Sequence, residues 1–381
     1  MAARERTFIG LAAGRAADGA DAALLAVRGR GQAMKACVLA AAHRDYPEPL
    51  SRRIRAAACG LALRPADLAA LDKDVSLELS AAGHAMAVQA RGMGRTVAAV
   101  GCWGQALAAT ASAGPGDSGA SVEVGNPAVL AAQIGLPVVG ALLAGELAAG
   151  GLGGGALAWA DWLMWRDRKL TRAVVHLGGI ASVAFLPAGA PCQDVLAFDA
   201  GPGTIAIDGL ARTMLQRPFD DDGLAAAAGS VNAALLNELL AHPFFQLPPP
   251  KRARMDDWSD LYAQRLAMMA DKHGCRGEDL LTTVTELTVC VVAAAVGALT
   301  ERPHQVILTG GGARNIHLAV RIRALLSPSS TISSQGMGID VQSHLAVCAA
   351  LLGAARMDGV PAGFQGAGGA RQAVVGSVTL M

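Results

Sequence analysis

Val195-Leu196-Ala197-Phe198-Asp199-Ala200-Gly201-Pro202-Gly203-Thr204 is the stretch of sequence that decides the fold. Its apolar first four residues predict a buried strand, which ends in a carboxylate and a glycine turn. Backbone amides in such a turn can point together at an anion, because no Cβ blocks the approach, and a following helix adds positive potential. The stretch therefore predicts a phosphate-binding or ribose-binding turn at the end of a strand.

Two more glycine turns follow apolar runs in the same half of the chain. Gly178-Gly179 lies between predicted strands at 173–176 and 181–186, and Gly310-Gly311-Gly312 follows a predicted strand at 305–309. With 46 glycines in the chain, any one of these turns is more often an ordinary tight turn. Three in this position exceed what composition alone produces.

The first half of the chain predicts a similar hairpin. Strands at 7–11 and 22–27 flank a turn of small residues that contains Gly14 and Asp18. Further strands at 96–101 and 137–140 alternate with a helix that begins at Asn126-Pro127, a pattern typical of parallel α/β proteins. Because a domain averages roughly 150 residues, a chain of 381 residues with one hairpin in each half predicts two lobes.

Composition excludes several classes of protein. A formal net charge of +1 gives no field for nucleic acid or anionic lipid, which favours a small-molecule partner. The seven cysteines form no CxxC pair, which predicts reduced thiols in a cytoplasmic protein. The stretch 138–160 is long enough to span a membrane, but its glycine cluster at 150–155 favours a loop. The apolar run near the N-terminus is interrupted by charges too early for a secretion signal.

Asp18, Glu146 and Asp199 are the carboxylates best placed for chemistry, because each lies close to glycine at a predicted strand end or loop. A phosphoryl transferase needs one carboxylate to hold Mg²⁺ and another to accept the proton of the attacking group. For each residue taken alone, a turn-stabilising acid or a helix N-cap is an equally good interpretation.

Eight motifs resemble, in order, those of anhydro-N-acetylmuramic acid kinases. Those motifs are SGTSLDGVD (Gly14 with 18–21 here), GDPAVIA (125–129), IGGIANVT (177–183), FDTGPGN (198–204), PYDRDG (218–223), LPPPKS (247–251), TLTELT (283–288) and CGGGARN (309–315). Together they cover nearly the whole chain, so chance is a poor explanation.

The resemblance implies an α/β fold of two RNase H-like lobes, the actin/hexokinase-type ATPase fold, with a central cleft that closes over ATP. It implies a first lobe at 1–145, a nucleotide-binding lobe at 146–369 and a tail at 370–381 that packs back on the first lobe. The implied reaction uses Mg²⁺ and ATP, opens the 1,6-anhydro ring of a sugar with water and phosphorylates O6, as part of peptidoglycan recycling. The resemblance also implies a homodimer.

The family's site residues carry over to matching positions of this sequence. Glu146 would be the catalytic base, and Asp18 and Asp199 would hold the metal ion. The sugar would contact Trp103, Gln105 and Asn126. The nucleotide and its phosphates would contact Gly14, Arg15, Asp18, Gly178, Gly179, Asp199, Gly201, Gly203, Gly310, Gly311, Gly312 and Asn315.

The sequence departs from the family mainly on the acceptor side. Arg15 stands where the family has a hydroxyl near the γ-phosphate, Glu146 replaces the catalytic aspartate, and Leu143 replaces an arginine. Arg15 either substitutes as a cation or abolishes the site. Two hypotheses therefore remain open: an active sugar kinase with an altered acceptor, and a nucleotide-binding pseudokinase or sensor. A membrane or purely structural role is the third alternative.

Overall fold

The computed structural model describes residues 5–110, 118–253, 255–258, 260–363 and 373–380. The strands are β1 (Arg6–Ala13), β2 (Gly19–Arg28), β3 (Lys35–Asp45), β4 (Val97–Trp103), β5 (Gln105–Thr110), β6 (Ala120–Val124), β7 (Val138–Gly140), β8 (Arg172–Leu177), β9 (Ile180–Leu186), β10 (Leu196–Pro202), β11 (Gln305–Thr309), β12 (Ser330–Ser333) and β13 (Ser377–Thr379).

The helices are α1 (Glu48–Ala58), α2 (Pro65–Gly92), α3 (Pro127–Ile134), α4 (Leu142–Ala148), α5 (Gly155–Trp165), α6 (Ile205–Leu210), α7 (Leu224–Ala228), α8 (Ala233–Leu240), α9 (Pro243–Gln246), α10 (Asp260–Lys272), α11 (Glu278–Gly297), α12 (Ile316–Leu325) and α13 (His344–Met357). The start of α3 follows from its sequence, since the side chain of Asn126 accepts a hydrogen bond from the Ala128 amide as an N-cap.

Two large sheets share one topology. The first has the order β13-β7-β4-β1-β2-β3 and the second the order β10-β9-β8-β11-β12. In each sheet three consecutive strands form an antiparallel meander, and the first strand of that meander pairs in parallel with the next strand along the chain. This is the strand order of an RNase H-like domain, present twice, so the predicted two-lobed α/β fold is confirmed.

Helices α5 and α13 cross between the two sheets. Although α13 follows the second sheet in the chain, it packs on β1, β2 and β4 of the first sheet. Helix α5 packs on α13, on β9 and β10 of the second sheet and on β3 of the first. The close approach of α13 needs glycine at two central strand positions, because a Cβ at Gly10 or Gly101 would overlap the carbonyl oxygen of Ala346 or Ala349. The two lobes thus share a core of small residues around these helices.

The predicted lobe boundaries need correction at two places. The boundary after residue 145 falls inside α4, and α13, which was assigned to the second lobe, packs on the first sheet. The tail pairs with the first lobe, since β13 runs antiparallel to β7 with Val378 opposite Val139.

The stretch 138–160 is not one helix, since it contains β7, α4, a glycine-containing loop and the start of α5. By length and composition, α11 is apolar enough to cross a membrane, but 78% of its apolar window is buried inside the fold. Helices α7 and α8 pass the same test together but are bent by 119° at their break. The burial of α11 is that of a core helix of the second lobe.

Candidate active site in the interlobe cleft

The two lobes enclose a cleft with a cavity of about 330 Å³. Its wall is formed by residues of both lobes, including both hairpin turns and the loop before α5. Of the predicted site residues, those that line it are Gly14, Arg15, Asp18, Trp103, Gly178, Gly179, Asp199, Gly310, Gly311, Gly312 and Asn315. The fold therefore brings both glycine-turned hairpins and the third glycine turn to one place.

The two hairpin turns are in contact across the cleft. A Cβ at Gly179, in the β8–β9 turn, would lie 3.5 Å from the Arg15 Cβ and from the Ala16 amide nitrogen in the β1–β2 turn. The Gly203 and Thr204 amides donate to the carbonyl oxygens of Gly179 and Gly178, both at 2.9 Å. This arrangement brings the turns of both lobes together at one cavity.

Gly201 and Gly203 do not line the cavity, contrary to the prediction that they face the nucleotide. A Cβ at Gly203 would overlap the carbonyl oxygen of Gly178, and one at Gly201 would lie 2.7 Å from the Phe245 ring. Both glycines allow the end of β10 to pack tightly behind the turn that does face the cleft.

Arg15 is a cation in the cleft wall, at the β1–β2 turn. No carboxylate of a described residue lies within salt-bridge distance of its guanidinium. Burial, with the nearby Arg252 as a second cause, lowers the pKa of Arg15 to about 10, so the group still carries its charge at neutral pH. Arg252 lies 3.4 Å from the Asp199 carboxylate. Arg15 and Arg252 thus place two cations in the cavity wall, and Asp199 pairs with Arg252 and not with Arg15. Cations in this position can contact phosphate oxygens.

Asp18 and Asp199 offer oxygen ligands of the type that Mg²⁺ prefers. Asp199 is buried in the middle of β10 and accepts a hydrogen bond from the Ala253 amide at 3.0 Å. Asp18 is exposed in the β1–β2 turn, and among the described residues no cation lies within salt-bridge distance of it. The residues present therefore fit a magnesium ion bound through carboxylates and water.

Asp21, His43 and Asp208 are among the titratable groups of the cavity wall that the sequence did not single out. Asp208 on α6 has its pKa raised to about 7, mainly by burial, with Asp18 adding to the shift. Asp21 on β2 lies 2.7 Å from His43 on β3. Burial raises the pKa of Asp21 to about 6, and the hydrogen bond to Asp21 raises that of His43 to about 9. The one available signal was a carboxylate inside the apolar run of β2.

Comparison with known proteins decides the family of this chain. The family model for anhydro-N-acetylmuramic acid kinase matches residues 6–380. The chain belongs to the anhydro-N-acetylmuramic acid kinase family. It is 34% identical to the anhydro-N-acetylmuramic acid kinase of Gloeobacter violaceus, over 96% of each chain. It is 33% identical to that of Salinibacter ruber, over 96% of this chain and 94% of the relative. The protein is accordingly a kinase, and its relatives support a sugar kinase role.

Two solved structures show remote similarity to this member of the anhydro-N-acetylmuramic acid kinase family. The activator of the 2-hydroxyisocaproyl-CoA dehydratase from Clostridium difficile, with bound ADPNP, has a TM-score of 0.46 at 12% identity, covering 91% of this chain and 93% of that one. The polyphosphate/ATP-glucomannokinase of an Arthrobacter strain has a TM-score of 0.39 at 12% identity, covering 92% and 99%. The fold assignment therefore rests on the strand order.

Glu146, which the motif resemblance predicts to be the base, is held by backbone amides. Its Oε1 accepts hydrogen bonds from the Gly153 and Gly155 amides at 2.9 and 2.7 Å, and its Oε2 accepts one from Ala156 at 3.0 Å. The side chain is buried and is absent from the cavity wall. Its carboxylate thus fixes the glycine loop and the N-terminus of α5, and this geometry does not support the assignment as a base.

Gln105 and Asn126, predicted to contact the sugar in this family, also lie outside the cavity wall. The Gln105 amide donates to the carbonyl oxygen of Gly14 at 3.1 Å and so supports the β1–β2 turn from behind. Asn126 caps α3, and its amide donates to Asp72 at 3.4 Å. Both side chains stabilise local structure next to the cleft.

Several large apolar side chains line the cavity near the loop before α5. Trp103 lies in the cavity wall at the end of β4, and its contact with the sugar stays a prediction. Leu143 on α4 and Leu152 within the glycine loop also line the cavity, with Leu157 on α5 and Leu345 on α13. Arg252 lies close by, since its guanidinium would be 3.3 Å from a Cβ at Gly153. In this part of the wall the Arg252 guanidinium therefore lies among hydrocarbon side chains.

Proposed function

We propose that this kinase transfers the γ-phosphoryl group of ATP to O6 of a 1,6-anhydro amino sugar of the N-acetylmuramic acid type, with opening of the anhydro ring by water, in peptidoglycan recycling. The observation that carries the proposal is the meeting of both hairpin turns at one cavity that holds Arg15, Asp18 and Asp199. The names of the relatives supply the sugar class.

The second lobe and the β1–β2 turn would hold the nucleotide. The turns at 178–179 and 310–312 would direct backbone amides at phosphate oxygens, and Asn315 lines the same wall. Arg15 would neutralise the γ-phosphate in place of the absent hydroxyls. Asp18 and Asp199 would hold Mg²⁺, which supplies charge neutralisation of the transferring phosphoryl group.

The proposed reaction makes two bonds and breaks two. Water adds to C1 as the C1–O6 bond of the anhydro bridge breaks, and O6 forms a bond to the γ-phosphorus as the bond to the β-phosphate oxygen breaks. A base takes one proton from the water, and ADP leaves. Glu146 could serve as that base only after releasing its three backbone donors.

The apolar wall supports a modified acceptor. A site without the arginine at 143 offers fewer hydrogen-bond donors to sugar hydroxyls, and a site built to bind hydroxyls discriminates strongly against ligands that lack them. The acceptor should therefore carry an apolar substituent beside Leu143 and Leu152, with an anionic group within reach of Arg252. Cytoplasmic location, a homodimer and the absence of nucleic-acid or membrane partners stay predictions.

The environment of Glu146 favours a second candidate, a nucleotide-binding pseudokinase or sensor. Both oxygens of this carboxylate are used by the backbone, so the site as described has no free acid at the family's catalytic position. The nucleotide side of the cleft does not depend on Glu146 and would function in either case.

The test is to incubate the purified protein with Mg-ATP and 1,6-anhydro-N-acetylmuramic acid, to follow ADP release and the mass of the sugar product, and to record the melting temperature with and without Mg-ATP. Formation of the 6-phosphate of the opened sugar would support the proposed reaction. An ATP-dependent rise in melting temperature without product would favour the pseudokinase. No response to either ligand would overturn both.

A further inference from the structure

Asp161, His344 and Cys348 form a buried cluster that the proposed kinase reaction does not use. Their exposed fractions are 4%, 2% and 0%. The Nε2 atom of His344 lies 2.6 Å from Asp161 Oδ1 and 3.4 Å from Cys348 Sγ, and that sulfur lies 3.9 Å from the same Asp161 oxygen. Three electron-pair donors of different types thus converge on one point in the interior.

Hydrogen bonding satisfies this cluster only weakly at the sulfur. The Nε2–H of His344 can donate to Asp161 at 2.6 Å, whereas the thiol of Cys348 reaches the same carboxylate oxygen only at 3.9 Å, where sulfur is a weak donor. A shared cation would instead use all three donor atoms.

The local structure holds these donors in place. His344 and Cys348 are four residues apart on α13 and therefore lie on one face of that helix. Asp161 comes from α5 on the other side. The ring of Trp165 stacks on that of His344, with centroids 5.2 Å apart and an interplanar angle of 13°. The imidazole plane is therefore fixed before any ligand arrives.

We propose that Asp161, His344 and Cys348 bind a divalent transition-metal ion of the zinc class. In a tetrahedral zinc site with these three donor types, the distances between donor atoms are roughly 3.3 to 3.6 Å. The observed distances, 2.6 to 3.9 Å, need only a small movement of the Asp161 carboxylate. A thiolate and an imidazole select zinc-like ions over Mg²⁺, so this site differs in chemistry from the carboxylates that face the phosphates.

The position of the cluster gives the ion an entry route and a structural effect. Asp161 also lines the cleft cavity, so an ion can enter from the cleft, and water there can complete the coordination. Because α5 packs on the second sheet and α13 on the first, the ion ties together the two helices that cross between the lobes.

Cobalt(II) titration of the full-length protein after chelator treatment, without ATP or sugar, tests this proposal independently of the kinase reaction. The expected result is one equivalent bound per chain, with the near-ultraviolet charge-transfer absorption of a thiolate–Co(II) bond, and displacement of Co(II) by zinc. Zinc alone should also raise the melting temperature.

Cys348→Ala and Cys348→Ser should abolish the charge-transfer band. His344→Asn removes a direct ligand and should therefore weaken Co(II) binding by more than about 100-fold, since loss of a residue that only hydrogen-bonds to a ligand costs roughly 10- to 100-fold. Cys102→Ala is the matched control, because Cys102 is equally buried and no His, Asp or Glu side chain among the described residues is hydrogen-bonded to it. Circular dichroism checks that each variant is folded. Absence of stoichiometric binding by the folded wild type, or an unchanged band in a folded Cys348 variant, would overturn the proposal.

Discussion

Replacing Glu146 by glutamine separates a structural role of this side chain from a catalytic one. The amide oxygen of glutamine can keep the hydrogen bonds from Gly153 and Gly155, but its NH₂ group would face the Ala156 amide, which is also a donor. One charge-assisted hydrogen bond is lost, two are weakened, and the negative charge at the N-terminus of α5 disappears.

The free energy of unfolding should therefore fall by about 2 to 4 kcal/mol. For a cooperative unit of 150 to 250 residues this corresponds to a decrease in melting temperature of roughly 4 to 16 °C. The assay is thermal unfolding followed by circular dichroism, with Glu48→Gln as the control, because Glu48 is exposed on α1 and its ion pairs with Arg52 and Arg55 contribute about 0 to 1 kcal/mol.

The same variant should be assayed for turnover with Mg-ATP and the anhydro sugar. A base that acts directly on the water contributes roughly 10²- to 10⁴-fold to the rate. If Glu146→Gln lost that much turnover while its melting temperature stayed within about 1 °C of the wild type, the capping argument would be refuted and Glu146 would be the base.

Three further predictions follow from the cleft. Gly203→Ala should lower the free energy of unfolding by about 3 kcal/mol or more, because the new Cβ would overlap the backbone behind the β8–β9 turn. Gly14→Ala is the control and should leave the melting temperature unchanged, because no atom lies within 4 Å of a Cβ at that position. Arg15→Ala should weaken ATP binding, measured by calorimetry, roughly 10- to 150-fold, as expected for the loss of one charge-assisted contact. Replacing the exposed Arg168 by alanine should leave the affinity for ATP unchanged. Equal affinities of the wild type and Arg15→Ala would exclude Arg15 from the phosphate site. His43→Gln should lower the melting temperature most between about pH 6 and 6.5, where the imidazole is protonated and the Asp21 carboxylate, whose pKa is about 6, is still ionised. The difference should vanish as the pH rises through about 9, because the raised pKa of His43 stabilises the fold only while the imidazole is protonated. A difference that grows as the pH rises above about 6.5 would contradict that assignment.

The sequence by itself determined the two lobes, the hairpins and the glycine turns of this protein. These features depend on neighbours in the chain: apolar runs make strands, and a glycine turn at a strand end frees backbone amides for an anion. The family motifs added the kinase assignment. They also predicted two RNase H-like lobes, which the strand topology confirmed. Asp18, Asp199 and the turns at 178–179 and 310–312 were found this way and line one cavity.

Only the tertiary structure decided what the remaining polar side chains do. Glu146 was placed by alignment at a catalytic position, yet the return of the glycine loop over its carboxylate gives it three backbone donors. Asp161 and His344 are separated by 183 residues and meet only because α5 and α13 cross between the lobes. Hydrogen bonding and burial depend on which atoms the fold brings within about 3 Å of each other, and a linear pattern contains no information on that distance for residues so far apart in the chain.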